Sequence, residues 1–312
     1  MKIFVYIALL SFLVGCQLTP SDSGNEQGSR EQGQQGRTGG EGQAQRRADL
    51  AIVEPALPSQ SQQAEIAQIN ELMESDEVND EQRATLYYRR GVLYDALGLN
   101  TLALLEMNKA LALEPAMADA WHYVGIYYMQ NGNYSNAYEA FDSVIELSPE
   151  HDFVYLNRGL TSYYDGQFDM AFTDFADFYF QDPSDAYRIA WQYFAAFELD
   201  SGRASEQLRQ QMQAVPARTW GGGILRFLAG DISENQLISA AFQGIETHQE
   251  LVERLCEAYF YLGKKAAMQG DTEQALNYFK LVLMTNVYSF VEHRVARAEL
   301  YRLREADQKS VP

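Results

Sequence analysis

The amino-acid sequence predicts an all-α fold, a helical-hairpin solenoid with capping helices at both ends. Three observations predict it. A fixed set of residue types recurs at a constant period, the apolar residues around it follow helical spacing, and no segment shows the alternation typical of a strand. A single hairpin cannot bury its apolar face alone, so such a chain is stable only as a stack of neighbours.

The period is marked by Gly91, Gly125 and Gly159, which follow one another at intervals of 34 residues. An aromatic residue, a second glycine, an alanine, a large apolar residue and a proline stand at fixed offsets from each. This pattern resembles the tetratricopeptide repeat (TPR), whose unit is two antiparallel helices. The resemblance implies a TPR solenoid with repeats at about residues 84–117, 118–151 and 152–185.

The first fifteen residues have the layout of a bacterial signal peptide. Lys2 precedes an apolar run that is too short to span a bilayer as a permanent helix. The run ends in Leu13-Val14-Gly15-Cys16, which resembles the lipobox of bacterial lipoproteins. The resemblance implies that residues 1–15 are removed and Cys16 is lipidated; a plain secretory leader is the alternative. The residue after Cys16 is Gln17 and not aspartate. In lipoproteins of this kind that choice implies sorting to the periplasmic face of the outer membrane.

A lipidated flexible linker is predicted for residues 16–58. The segment consists mainly of Gln, Gly, Ser, Glu and Arg, and has too few large apolar residues to fold. A coil of this length has a typical end-to-end distance of roughly 35–40 Å. It would let a folded body at residues 59–312 move away from the membrane anchor.

The first helix of the folded body is predicted from Ser59 to Glu74, where Ile66 and Ile69 share one stripe. It would cap or dimerise the repeats. Within each repeat, the first glycine and the alanine let the two helices approach closely. The second glycine ends the first helix in a left-handed conformation, and the proline ends the second helix.

The repeat pattern weakens and then returns. Residues 186–215 are predicted to be a degenerate repeat, since the glycine and alanine are missing. The glycine run at 221–223 is predicted to start a helix, because no Lys-Ser/Thr follows it and no strand precedes it. The pattern returns at 256–289, and a C-terminal helix at 290–305 is predicted to cap the stack.

Charge and cysteine content restrict the classes of partner. The formal net charge of −19 argues against nucleic acid and leaves no basic patch for anionic lipid. The charge serves solubility or the steering of a basic partner. Only Cys16 and Cys256 occur, so a lipidated Cys16 leaves no intramolecular disulfide. Cys256 is predicted to be a small buried hydrophobe.

Protein binding, not catalysis, is the function class that the sequence favours. The four histidines show no metal-ligand spacing, no Gly-x-Ser-x-Gly elbow occurs, and neither a cofactor nor a catalytic residue is predicted. In TPR units the first helix of each hairpin lines a groove, and here its inward positions are apolar and aromatic, as a hydrophobic or helical segment would require. The predicted groove residues are Tyr88, Val92, Asp95, His122, Ile126, Met129, Leu156, Leu160 and Tyr163. The alternative for each is that inter-repeat packing or a neighbouring element occupies it.

Longer strings within this frame resemble the lipoprotein NlpI family, TPR-containing outer-membrane lipoproteins of gamma-proteobacteria. The strings are Arg90 to Asp95, Ala137 to Val144, Leu156 to Gly159, Tyr261 to Lys264, and Phe290 to Arg294. The resemblance covers about residues 60–305. It implies a homodimeric adaptor without activity of its own, which binds a periplasmic tail-specific protease of the Prc type and presents murein endopeptidases to it. It also implies the scaffolding of other cell-wall enzymes.

Two other functions remain open at this point. One is a TPR assembly or pilotin lipoprotein that serves outer-membrane proteins. The other is an unrecognised hydrolase. The long Gln/Gly-rich linker departs from what the family resemblance implies, so the reach of the tether is left undetermined.

Overall fold

The computed structural model describes residues 51–310, with side chains as far as residue 305. The predicted signal peptide, Cys16 and the linker up to residue 50 lie outside the described residues. Within residues 51–310 the regular secondary structure is helical and no strand forms, so the predicted all-α solenoid is confirmed. No helix in this range is both long enough and apolar enough to cross a membrane. The helices are α1 (Gln60–Met73), α2 (Asp80–Ala96), α3 (Asn100–Leu113), α4 (Ala118–Gln130), α5 (Tyr134–Leu147), α6 (Val154–Tyr164), α7 (Phe168–Gln181), α8 (Ala186–Leu199), α9 (Ser201–Gln211), α10 (Trp220–Leu228), α11 (Glu234–Ala241), α12 (His248–Met268), α13 (Thr272–Met284) and α14 (Val291–Ser310).

Consecutive helices pack as hairpins. The three regular repeats are the pairs α2–α3, α4–α5 and α6–α7, and the degenerate unit is α8–α9. The returning repeat is α12–α13, although α12 already begins at His248, eight residues before the predicted unit. Neighbouring hairpins contact each other through α3 and α4, α5 and α6, and α7 and α8, which joins the hairpins into one stack.

The glycine of the repeat is required by the close approach of two helices. A Cβ atom at Gly125 on α4 would lie 2.6 Å from the ring of Phe141 on α5, well inside van der Waals contact. The second glycine of the same repeat, Gly132, ends α4 with a φ of +72°, a conformation that L side chains disfavour. Both roles agree with those predicted from the spacing.

The glycine run starts a helix, as predicted. Gly221, Gly222 and Gly223 form the first turn of α10, and the Thr219 hydroxyl accepts a hydrogen bond from the Gly222 N–H at 3.1 Å. A side-chain oxygen at this position satisfies one of the N–H groups that a helix leaves unpaired. Ser233 and Gln236 form a capping box at the start of α11.

The last residues of the predicted linker are packed against the solenoid, which corrects its boundary. Ala51, Val53 and Ala56 are partly buried on the main core. The Ala56 N–H donates to the Thr285 carbonyl at 2.8 Å, and the Tyr259 hydroxyl donates to the Ala51 carbonyl at 2.5 Å. Small apolar residues spaced along residues 51–56 provide the contact, and the linker prediction overlooked them.

The C-terminal helix α14 packs on α13, as predicted for a cap, and also extends beyond it. It contacts α12 and α4 along its length. Its side chains also reach α2 through Arg294, α6 through Glu299 and α8 through Arg302. Because these are the first helices of successive hairpins, α14 lies along the face that the sequence predicts to be the groove.

Candidate protein-binding face

The nine predicted groove residues lie on α2, α4 and α6, and most of them are buried. Tyr88 and Val92 on α2 are half-buried. The other seven are buried: Asp95, His122, Ile126, Met129, Leu156, Leu160 and Tyr163. The structure brings these residues together in one row of helices but does not present them as an open apolar groove. Their ability to bind a partner therefore stays a prediction.

Packing between neighbouring repeats accounts for the buried apolar members of this set. Ile126 and Met129 on α4 belong to the same core cluster as Leu156 and Leu160 on α6. Of the nine, only Tyr88 and Val92 pack against the smaller cluster, which lies between the first two repeats and contains the buried Met107. The inward positions of α4 and α6 thus hold adjacent hairpins together.

His122 is a structural histidine. Its Nε2 atom accepts a hydrogen bond from the Asn157 side-chain amide at 2.9 Å, and its ring centroid lies 4.3 Å from that of His151. Burial, followed by the nearby charges of His151 and Arg294, lowers the pKa of His122 to about 3. Because the ring is buried and neutral and its Nε2 atom is already hydrogen-bonded, His122 contributes to the packing of α4 on α6. Among residues 51–305 no group of three or more potential metal ligands converges.

Asp95, the only charged member of the predicted groove, pairs with α14. The Arg294 guanidinium forms an ion pair with the Asp95 carboxylate, and both side chains are nearly buried. Burial raises the pKa of Asp95, although Arg294 acts in the opposite direction. The guanidinium carbon also lies 6.0 Å from the centre of the Tyr123 ring. This contact fixes the beginning of α14 against the first two repeats.

A second polar cluster holds the middle of α14. Lys264 on α12 donates to Glu299 Oε1 at 2.6 Å and to the Tyr163 hydroxyl at 2.9 Å. Tyr164 donates to the same Glu299 oxygen at 3.0 Å. Burial opposes the ionised form of Glu299, but Lys264 and Arg302 outweigh it and hold the pKa of this carboxyl below its ordinary value. Tyr163 is therefore a structural tyrosine beneath α14.

The same cluster extends to α8. Glu198 accepts a hydrogen bond from Tyr163 at 2.8 Å and from Arg302 at 2.9 Å. Charge-assisted hydrogen bonds of this kind are about twice as strong as neutral ones. The polar residues of α14 thus hold the helix to four of the helices it crosses, and any partner for this face meets α14 first.

The outer side of the first repeat exposes apolar side chains that sequence analysis did not single out. Leu102 and Leu105 on α3 are 44% and 50% exposed, and Leu99 at the start of the helix is 44% exposed. The sequence contains a signal for this exposure. An amphipathic helix has its apolar residues in one stripe, whereas α3 has them around most of its circumference. These leucines are accessible apolar side chains on the first repeat.

Two comparisons describe what the chain is similar to. The sequence profile of the tetratricopeptide repeat matches residues 84–117 and again residues 118–151, the first two repeats predicted above. Among solved structures, a tetratricopeptide repeat protein from Parabacteroides merdae aligns at 18% identity over 78% of this chain and 78% of its own, with a TM-score of 0.43.

Two further structures align over similar lengths. PilF of Pseudomonas aeruginosa is 15% identical over 70% of this chain and 99% of its own, with a TM-score of 0.43. The C-terminal part of a TPR repeat-containing protein from Cytophaga hutchinsonii is 17% identical over 76% of this chain and 94% of its own, with a TM-score of 0.45. The two profile matches and the observed hairpins identify the repeat.

Proposed function

We propose that this tetratricopeptide-repeat protein is a non-catalytic adaptor, anchored by lipid at Cys16 to the periplasmic face of the outer membrane. In this role it binds peptidoglycan hydrolases, murein endopeptidases among them, together with a tail-specific protease of the Prc type. It thereby regulates the turnover of cell-wall endopeptidases and cell division. The observation that supports a binding role is the stack of hairpins itself, which offers an extended helical surface.

The interior of the stack also favours binding over catalysis. His122 and Glu299, two groups whose pKa values are lowered, are both buried inside the stack. An active site requires reactive groups that converge where a substrate can enter. We therefore expect partners to bind at accessible surfaces, such as the one formed by the exposed leucines of α3.

The strings that resemble the NlpI family have structural roles in this chain. Asp95 in the first string pairs with Arg294 in the last. Arg90, also in the first string, and Arg158 in the third pair with the buried carboxylates of Glu106 and Asp174 on the second helix of their own repeats. The resemblance thus supports a shared architecture. The identity of the partners is a separate part of the proposal.

The proposal is tested by deleting the gene and by crosslinking the membrane-bound protein before affinity capture. We expect a murein endopeptidase to accumulate in the deletion strain, and a protease and at least one cell-wall hydrolase to be captured with the protein. The Cys16→Ser variant is the matched control for the anchor, and we expect it in the soluble periplasmic fraction. Its retention in the membrane fraction would contradict lipidation.

Other outcomes select the alternatives. Loss of outer-membrane barrels or of a pilus secretin, with endopeptidase levels unchanged, would replace the adaptor by an assembly or pilotin role. Cleavage of muropeptides by the purified protein, abolished by changing one carboxylate, would replace it by a hydrolase.

A further inference from the structure

A cleft of about 260 Å³ opens where α14 crosses the first two repeats. Its walls are the turn between α2 and α3, the start of α3, the C-terminal end of α4, the end of α13, and the first turns of α14 with the segment that leads into them. Tyr288 forms one wall, and its ring packs directly on Gly98, where a Cβ atom would lie 2.7 Å away. The cleft exists because α14 crosses at this point, so it is not a general property of stacked hairpins.

The charge of the cleft is opposite to that of the protein. The sequence has 43 acidic and 24 basic residues, yet the lining contains Arg294, Arg297 and no carboxylate. The charge of Arg294 is neutralised by its ion pair with Asp95. Arg297 is exposed and forms no hydrogen bond or ion pair with any of the residues whose side chains the structure describes. One uncompensated positive charge therefore faces the cleft.

Polar groups with unused hydrogen-bonding capacity surround this charge. The Asn100 amide donates to Gln130 Oε1 at 3.1 Å, which leaves the Gln130 NH₂ group and the Asn100 oxygen for another partner. Thr101 and Tyr127 add hydroxyl groups to the lining, and Leu283 adds an apolar contact. The start of α3 lies in the same wall, and Leu99 provides no side-chain cap for its N–H groups. The lining thus combines donors, acceptors and a small apolar wall.

We infer that this cleft binds the carboxyl-terminal end of a peptide. The planar guanidinium of Arg297 matches the geometry of a carboxylate, and the amide groups match those of a peptide backbone. One uncompensated charge suits a carboxylate monoanion, whereas a phosphate dianion would remain half-neutralised. The volume lies just below the roughly 300 Å³ at which small-molecule pockets begin, so the cleft accommodates one or two terminal residues. This inference does not depend on the partners proposed above.

The test is a calorimetric titration of the whole protein with two matched probes. The first is an N-acetylated Ala-Ala-Leu tripeptide with a free carboxyl group, and the second is the same peptide as the carboxamide. We expect the free acid to bind with saturation and the carboxamide to bind at least tenfold more weakly. The affinity for the acid should fall as salt is raised, because the interaction is between charges near the surface.

Variants on one helix provide the controls. Arg297→Ala should weaken binding of the acid at least fivefold without changing its weak binding of the carboxamide. Arg304→Ala alters an exposed arginine of α14 outside the cleft, and it should bind the acid like the wild type. Arg297 is exposed, so its loss leaves the melting temperature unchanged.

Several results would overturn the inference. These are no binding of the acid by the wild type, equal binding of acid and carboxamide, an unchanged affinity in Arg297→Ala, and tighter binding of inorganic phosphate than of the tripeptide. A titration with N-acetyl-leucine distinguishes the source of the carboxylate. If N-acetyl-leucine binds as tightly as the tripeptide, the cleft recognises a free carboxylate alone and not the end of a peptide.

Discussion

Glu257 on α12 and Glu292 on α14 are both buried carboxyl groups, and they interact electrostatically. The Trp220 indole N–H donates to Glu257, and the Tyr261 hydroxyl donates to Glu292 at 3.0 Å. Burial, and then the charge of Glu292, raises the pKa of Glu257 to about 8, although the hydrogen bonds from Trp220 and Tyr187 act against the shift. At neutral pH the pair therefore holds a proton that the unfolded chain releases.

This proton makes stability depend on pH. The folded-state pKa of Glu257 lies above its ordinary value of 4.5, so the folded protein binds more protons than the unfolded chain between about pH 4.5 and pH 8. Through this proton the free energy of unfolding falls as pH rises across the window, by up to about 1.4 kcal/mol per pH unit. The lowered pKa values of His122 and His293 act in the opposite direction below about pH 6.5. Glu257→Gln should remove the contribution of Glu257, so its stability should fall less or rise more with pH than that of the wild type, as measured by urea unfolding at several pH values from 5 to 8.

Glu206→Gln is the control for this measurement. Glu206 is exposed on α9 and is not among the groups that shift the pKa of Glu257. Its substitution should leave the pH slope of the wild type in place. Identical slopes in Glu257→Gln and the wild type would show that the pair does not carry the proton.

At the scale of the helix, the repeat depends on the space that glycine leaves between two helices. Gly125→Ala places a methyl group against the Phe141 ring, and overpacking of this kind costs about 1–3 kcal/mol. We expect the midpoint of urea unfolding to fall accordingly. A leucine at the same position should cost more, because α4 and α5 would have to separate.

Gly223→Ala provides the opposite case in the same protein. Gly223 lies inside α10, and a Cβ atom built there meets nothing within 4 Å. Alanine is favoured over glycine in a helix by about 1 kcal/mol, so this variant should be as stable as the wild type or more stable. A destabilised Gly223→Ala beside a neutral Gly125→Ala would contradict the register of the repeats.

The helices were predictable where their signals are local. The glycines at 91, 125 and 159, the capping residues Ser59 and Ser233, and the glycine run before Ile224 each act on neighbours within a few residues or one repeat. The candidate site was less predictable, because its contacts join distant parts of the chain. Nothing near Asp95 indicates that its partner is Arg294. The sequence did not indicate that α14 lies along the predicted groove positions.

At the scale of the whole molecule, Glu299 joins α14 to α6 and α12 through buried polar contacts. Glu299→Ala leaves the Lys264 ammonium buried without its counter-ion, and breaking a buried pair in this way costs about 3–5 kcal/mol. We expect a marked loss of unfolding free energy and faster amide hydrogen exchange in α14. Chemical denaturation and hydrogen-exchange mass spectrometry measure the two effects.

The double variant Lys264→Met with Glu299→Leu separates charge from packing. Replacing both partners by apolar residues of similar volume should recover part of the stability, since the Lys264 ammonium is no longer buried without its counter-ion but the Tyr164 hydroxyl still lacks its acceptor. Glu305→Ala, at an exposed position on the same helix, should be close to neutral. A loss in Glu305→Ala as large as that in Glu299→Ala would indicate a general weakening of α14 and no special role for the ion pair.

The position of α14 has a consequence for affinity. A ligand that recognises the residues beneath this helix competes with a segment of the same polypeptide, which is always present at high local concentration. Its apparent dissociation constant equals the intrinsic constant divided by the fraction of molecules in which the segment is displaced. If that fraction is about 1%, the ligand binds about a hundredfold more weakly than its contacts alone would allow. Events that release the segment would raise the affinity by the same factor.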